Sequence, residues 1–154
     1  MPTTAPPVLS ALSSRESEVL SLVADGLRNS EIAARIGVTE GTVKGYLRGI
    51  RSKLGTSSRP VLAGIACRAG HQARPKGAEA VRPELSDTEA DTLRLIARGA
   101  GAREVAQAQL MSHSIAKKHI RCVLDKMGAS DAAHGVSLAW SWGILGADEG
   151  ARSR

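Results

Sequence analysis

The chain has 154 residues, 42% of them apolar and 23% charged, with only 2% aromatic and no phenylalanine. A core must therefore be assembled from Leu, Ile, Val and Ala, which suits packed helices, gives little support to a β-sandwich and argues against an intrinsically disordered chain. The net charge of +6 and a pI near 9.9 favour a polyanionic partner, with nucleic acid the first candidate.

Residues 1–11, "MPTTAPPVLSA", lack the basic start and long apolar run of a secretory signal and read as a disordered tail. Ser13 and Glu16 then form the Ser-x-x-Glu signature of a capping box, in which hydroxyl and carboxylate satisfy orphan N–H groups at a helix start. Leu20, Val23 and Leu27 follow at helical spacing, and Gly26 sits near the stop. Asn29 or Ser30 opens a short second helix carrying Ile32, Ala33 and Ile36; Gly37 breaks it and Thr39 caps a third helix that ends at Gly55. A fourth helix is expected from Pro60 to about Ala69. A short helix, a glycine turn and a second helix make a helix-turn-helix, whose second helix enters the major groove of DNA. A small bundle that binds another protein fits the same periodicity.

The third helix separates these readings. Placed on a wheel at about 100° per residue, Val43, Leu47, Ile50 and Leu54 form the buried stripe, while Gly45, Gly49, Arg48 and Ser52 point outward. Lys44 and Arg51 flank one side of that surface, Tyr46 and Lys53 the other. Each interior glycine costs a helix about 1 kcal/mol relative to alanine, so glycine is a poor choice for a merely solvated face. A smooth face between rows of cations suits close approach to a duplex, with phosphates meeting the cations.

Sliding the chain by 73 residues aligns "LSSRESEVLSLVADG" (12–26) with "LSDTEADTLRLIARG" (85–99), and "SEIAARIGVTEGTVKGYLRGIRSKLGTS" (30–57) with "REVAQAQLMSHSIAKKHIRCVLDKMGAS" (103–130). The expected organisation is therefore all-α, with two tandem four-helix units at 12–69 and 85–145, a mobile linker at 70–84 and a tail at 146–154.

The first copy resembles the LuxR-type (FixJ-type) helix-turn-helix of bacterial transcription regulators, through "LSSRESEVLSLVADGL", "NSEIAARIGVTEGTVK" and "IRSKLGTSSR". The second copy fits the same frame more loosely. The resemblance implies a sequence-specific double-stranded DNA-binding regulator of transcription, cytoplasmic and associated with the nucleoid. By position, Lys44, Gly45 and Arg48 would face base edges or nearby phosphates, and Thr42, Tyr46, Arg51 and Lys53 would mostly hold the backbone. In the second copy Lys117, Lys118, His119, Arg121 and Lys126 stand on the corresponding surface. The family's fourth helix commonly makes a dimer contact, which implies a homodimer through residues about 60–69 and 132–145. RNA polymerase is a further candidate partner. The family usually adds a receiver or ligand-sensing domain, and the residues before Leu12 are too few to hold one.

The copies differ. Residues 12–71 carry nine Lys/Arg and five Asp/Glu, whereas 85–145 carry seven and six, so the first copy is the stronger candidate for DNA. Leu110 stands where Gly37 makes the turn and Gln109 where Ile36 is expected in the core; a leucine at positive φ is strained and a buried amide needs a partner. Both tryptophans lie in "VSLAWSWGIL" (136–145), where Val136, Trp140, Trp142 and Ile144 suggest an interface with the first copy or with a second chain. The alternative function is a protein-interaction adaptor, σ-factor-like or polymerase-associated, with the second copy mediating contact. No catalytic constellation, metal site or cofactor motif is found, and no apolar stretch is long enough to span a membrane.

Overall fold

The computed structural model describes residues 7–71 and 81–146; most of the expected linker and the outermost tails lie outside the described residues. Among the described residues there are nine helices and no strand: α1 (Pro7–Ser10), α2 (Ser14–Ala24), α3 (Asn29–Ile36), α4 (Glu40–Leu54), α5 (Arg59–Arg68), α6 (Asp87–Ala97), α7 (Ala102–Ala108), α8 (His113–Met127) and α9 (Ala132–Ser141). Residues 7–10, expected within a tail, instead make a helical turn whose Leu9 packs on the first core. Each helix from α6 to α9 begins 73 residues after its counterpart from α2 to α5. These two sets of four helices are the first and second units below.

Local chemistry accounts for the boundaries. Ser13 Oγ accepts from the Glu16 N–H at 3.1 Å while the Ser13 N–H donates to Glu16 Oε2 at 2.9 Å, and Ser86 with Glu89 repeats both bonds. Thr39 and Ser112 cap the two long helices, and Gly55 and Gly128 end them at φ of +72° and +68°. Val43, Leu47 and Ile50 of α4 are buried with Val19, Leu20 and Val23 of α2, Ile32 of α3 and Leu62 of α5. The second core gathers Leu93, Ile96, Val123, Met127, Val136 and Leu138, with a smaller cluster of Val105, Ala106 and Ala116 beneath the helix-turn-helix.

The most extensive contact between helices joins α5 to α9, one from each unit. Gly64 of α5 faces Trp140 and Val136 of α9: a Cβ there would lie 3.7 Å from Trp140 Nε1 and 3.8 Å from Val136 Cγ1, ordinary contact distances. Shifting by 73 turns the Gly64–Trp140 pair into Ser137–Cys67, and the Cys67 thiol lies 4.0 Å from the Ser137 carbonyl. The bends after the first helices behave alike: Gly26 lies against Ser130 and His134, and Gly99 against Ser58 and Val61. Ser130 Oγ donates to the Gly26 carbonyl at 2.8 Å, and Ala133 of α9 is buried in the first unit's core. Contacts made twice with the roles exchanged are the mark of two-fold association, here within one chain. The pairing of fourth helices expected between two chains is thus made inside the molecule.

Of the four residues expected at an interface, Val136 and Trp140 meet α5, and the Arg68 guanidinium lies 5.7 Å from the Trp140 ring centre. Trp142 and Ile144 do not continue that face. The helix stops at Ser141, Gly143 turns the chain at φ +73°, and the Ile144 and Leu145 N–H groups both donate to the Ala139 carbonyl. Trp142 and Ile144 therefore fold onto the second unit's own core.

The divergent turn keeps its left-handed geometry. Leu110 has φ +55° and is 94% exposed, so it takes on the backbone strain without burying its side chain. The Gln109 amide finds its partners, donating to Thr92 Oγ1 at 2.9 Å and to the Thr88 carbonyl at 3.1 Å. Leu110→Gly is expected to raise unfolding stability by about 1 kcal/mol by removing the Cβ clash at positive φ. Urea denaturation of the variant checks this, and an unchanged midpoint would show that Leu110 is unstrained.

Candidate nucleic-acid interface

On α4 the exposed side carries Thr42, Lys44, Gly45 and Arg48. Thr39 Oγ1 accepts from the Thr42 N–H at 3.1 Å and lies 2.9 Å from the Thr42 hydroxyl, which fixes the first turn. Nothing comes within 4 Å of a Cβ built on Gly45, so this stretch of helix is bare. Lys44 and Arg48 flank it and make no ion pair or hydrogen bond among the described residues. Unneutralised cations beside exposed backbone suit a polyanion with a groove.

Other residues expected on this surface are drawn inward. Gly49 is half-buried, and a Cβ there would lie 2.6 Å from Glu16 Oε1, so this glycine makes room for a carboxylate rather than for a ligand. Glu16 Oε2 in turn accepts from Lys53 Nζ at 2.7 Å. That bond, together with the Ser13 N–H, holds the Glu16 carboxyl below its ordinary pKa. Lys53 therefore ties α4 to α2. Tyr46 is half-buried against the first core, and Arg51 is half-buried with its Nε enclosed and unpartnered among the described residues. Of the expected DNA-contacting residues, Thr42, Lys44, Gly45 and Arg48 are thus exposed with no tie to another helix, while Lys53 is exposed but held by Glu16.

The second unit repeats the division. Lys117, Lys118 and Arg121 are exposed on α8 and make no ion pair among the described residues. Lys126 donates to Glu89 Oε1 at 3.0 Å, matching Lys53 and Glu16; the Ser86 N–H and then Lys126 lower the Glu89 pKa. His119, expected on the outer surface, is half-buried with Nε2 2.7 Å from Thr92 Oγ1. It belongs to the Thr92–Gln109 network that supports the altered turn. Lys118 occupies the place of bare Gly45, and Ile115, 55% exposed, the place of Thr42, so the two surfaces are unlike in shape and chemistry.

One important side chain had no place among the expected site residues. Arg59 donates from Nη2 to the Leu27 carbonyl at 2.7 Å and from Nη1 to Asn29 Oδ1 at 3.0 Å, fastening the start of α3 to α5. Burial lowers its pKa, opposed by the Asp131 carboxylate across the junction of the units. A basic residue followed by proline at a helix start gives no hint of this in sequence, since both partners lie about thirty residues away. Among the described residues no helix is long and apolar enough to cross a membrane, and no group of three or more His, Cys, Asp or Glu could hold a metal ion.

Residues 10–66 match the luxR family of bacterial regulatory proteins. The chain is 45% identical over 51 residues to the probable transcriptional regulatory protein SgaR of Hyphomicrobium methylovorum, covering 33% of this chain and 24% of that protein. It is 48% identical over 48 residues to the transcriptional regulatory protein LnrK of Bacillus subtilis, covering 31% and 22%. To DesR, a transcriptional regulatory protein of the same organism, it is 46% identical over 48 residues, covering 31% and 24%. The matches span about a quarter of the length of these curated relatives. No solved structure matches the chain.

Proposed function

We propose that this protein is a sequence-specific double-stranded DNA-binding regulator of transcription that lays α4, and more weakly α8, into the major groove from a single chain. The observation that carries the reading is the pair of unneutralised cations, Lys44 and Arg48, beside bare Gly45 on the second helix of the helix-turn-helix. Such a protein works in the cytoplasm, on the nucleoid.

The exchanged contacts across α5 and α9 support a two-fold relation between the reading helices. Two half-sites in inverted orientation follow, without a second chain. They differ in sequence, because α4 presents Thr42 and Gly45 where α8 presents Ile115 and Lys118. Selection from a random duplex pool, followed by light scattering of the complex, tests this. The expected product is a site with two unlike inverted halves carrying one chain. A single half-site, or two chains on a symmetric site, would overturn it.

A second reading, in which the second unit docks a protein such as RNA polymerase, draws on exposed Leu110 and Ile115 beside the start of α8. Under it the selected site contains only the half read by α4.

A further inference from the structure

Matching the two units by their offset of 73 exposes a corner that is filled in one and hollow in the other. In the first unit the space between the starts of α3 and α5 and the flank of α4 is taken by arginine side chains. Arg59 sets its guanidinium on the Leu27 carbonyl and Asn29 Oδ1, and half-buried Arg51 is near enough to act on it electrostatically. In the second unit Ala132 stands for Arg59, Leu124 for Arg51 and Ala102 for Asn29.

Of these, Ala102 and Leu124 line a cavity of about 380 Å³ between α7, α8 and the start of α9. That volume falls in the range of small-molecule sites. Ile120 and Leu124 supply apolar wall, Asp125 and Asp131 line one part, and Lys117 and Arg121 another. The carboxylates are particular to this unit, since Ser52 and Ser58 occupy the matching positions. The corner has thus lost two guanidiniums and acquired two carboxylates. Asp131 already accepts from the His134 N–H at 2.8 Å as the cap of α9 and faces Arg59 of the first unit electrostatically, and a carboxylate has capacity for further donors.

We propose that this cavity binds a small guanidino acid. Its guanidinium donates to Asp125 and Asp131, beside Ala102, the counterpart of the Asn29 that Arg59 meets in the first unit. Its aliphatic stem lies on Ile120 and Leu124, and its carboxylate meets Lys117 and Arg121. The filled counterpart in the same molecule supplies the template for the cationic head, and the retained cations select against a ligand lacking the acid group. Because Lys117 and Arg121 also belong to the exposed face of α8, an occupied cavity withdraws them from DNA.

Isothermal titration of the purified full chain without DNA tests the site, using L-arginine and its decarboxylated analogue agmatine as probes. L-Arginine is expected to bind saturably, one molecule per chain, and agmatine severalfold more weakly. Ala102→Arg, which places a guanidinium on the cavity wall, is expected to abolish the binding. Should that variant not fold, Asp125→Asn on the exposed rim weakens arginine binding severalfold with an unchanged midpoint. Absence of saturable binding to the native chain, undiminished binding by folded Ala102→Arg or by Asp125→Asn, or agmatine binding as tightly as arginine would overturn the assignment. With no DNA in the cell, such a failure leaves the DNA-binding reading standing.

Discussion

Replacing Lys44 and Arg48 together by alanine is expected to erase site preference and weaken binding to the selected duplex by about a hundredfold at moderate salt. Each cation supplies either a base-edge contact worth about 1–3 kcal/mol of discrimination or a phosphate contact. If both reach phosphates, the slope of log affinity against log salt falls by about 2, at roughly 0.9 per contact. The two side chains lack partners among the described residues, so their removal breaks no internal bond and the circular dichroism should be unchanged. Lys117→Ala with Arg121→Ala is the matched comparison on α8, with a smaller loss expected. Fluorescence anisotropy over a salt series reads both variants. Selectivity retained in the Lys44/Arg48 variant would remove α4 as the reading helix.

The second large effect concerns the junction between units. Gly26→Ala is expected to destabilise the chain by about 3 kcal/mol, combining strain at positive φ with overpacking in a filled space. Gly26 has φ +82°, and an added Cβ would overlap Ser130 Oγ and the His134 side chain of the other unit. Gly37→Ala isolates the backbone share: its φ is +73°, but nothing lies within 4 Å of the added atom, so a loss of about 1 kcal/mol is expected. The difference between the two measures the packing of the first unit's bend against the second. In DNA binding, Gly26→Ala should spare the half-site read by α4 while weakening the two-half site, because the units no longer hold their relation. Urea denaturation and anisotropy on both duplexes check this. Equal losses for the two glycine variants would show that the units do not brace each other at this bend.

Much of the architecture is legible in short stretches of sequence because its causes are local. Ser13 with Glu16, Ser86 with Glu89, Thr39, Gly37 and Gly55 act through bonds or torsions within a few residues, and their helices start or stop where expected. The buried stripe of α4 follows from periodicity alone, as do the outward positions of Lys44, Gly45 and Arg48. Even the trouble at Gln109 and Leu110 can be anticipated, since it concerns one torsion and one amide.

Wheel geometry fails where the deciding partner is remote. Gly49 points toward the outer half of α4, yet Glu16 reaches it from a helix more than thirty residues away and takes Lys53 with it. His119 turns to Thr92 of α6 for the same reason, and Arg59 to Leu27 and Asn29. Trp142 leaves the interface because α9 ends at Ser141, an end enforced by the turn at Gly143.

By itself the sequence determined the helices, their caps, the internal offset of 73 residues and the basic face of α4, since hydrogen-bonding capacity, side-chain period and charge belong to the chain before it folds. Only the tertiary structure decided which cations stay unpaired, which glycine is bare, that α5 pairs with α9 inside one molecule, and that one unit is hollow where the other holds Arg59. Those outcomes depend on which surfaces are brought together across long separations, and burial energy is settled by the assembled packing rather than by any single helix.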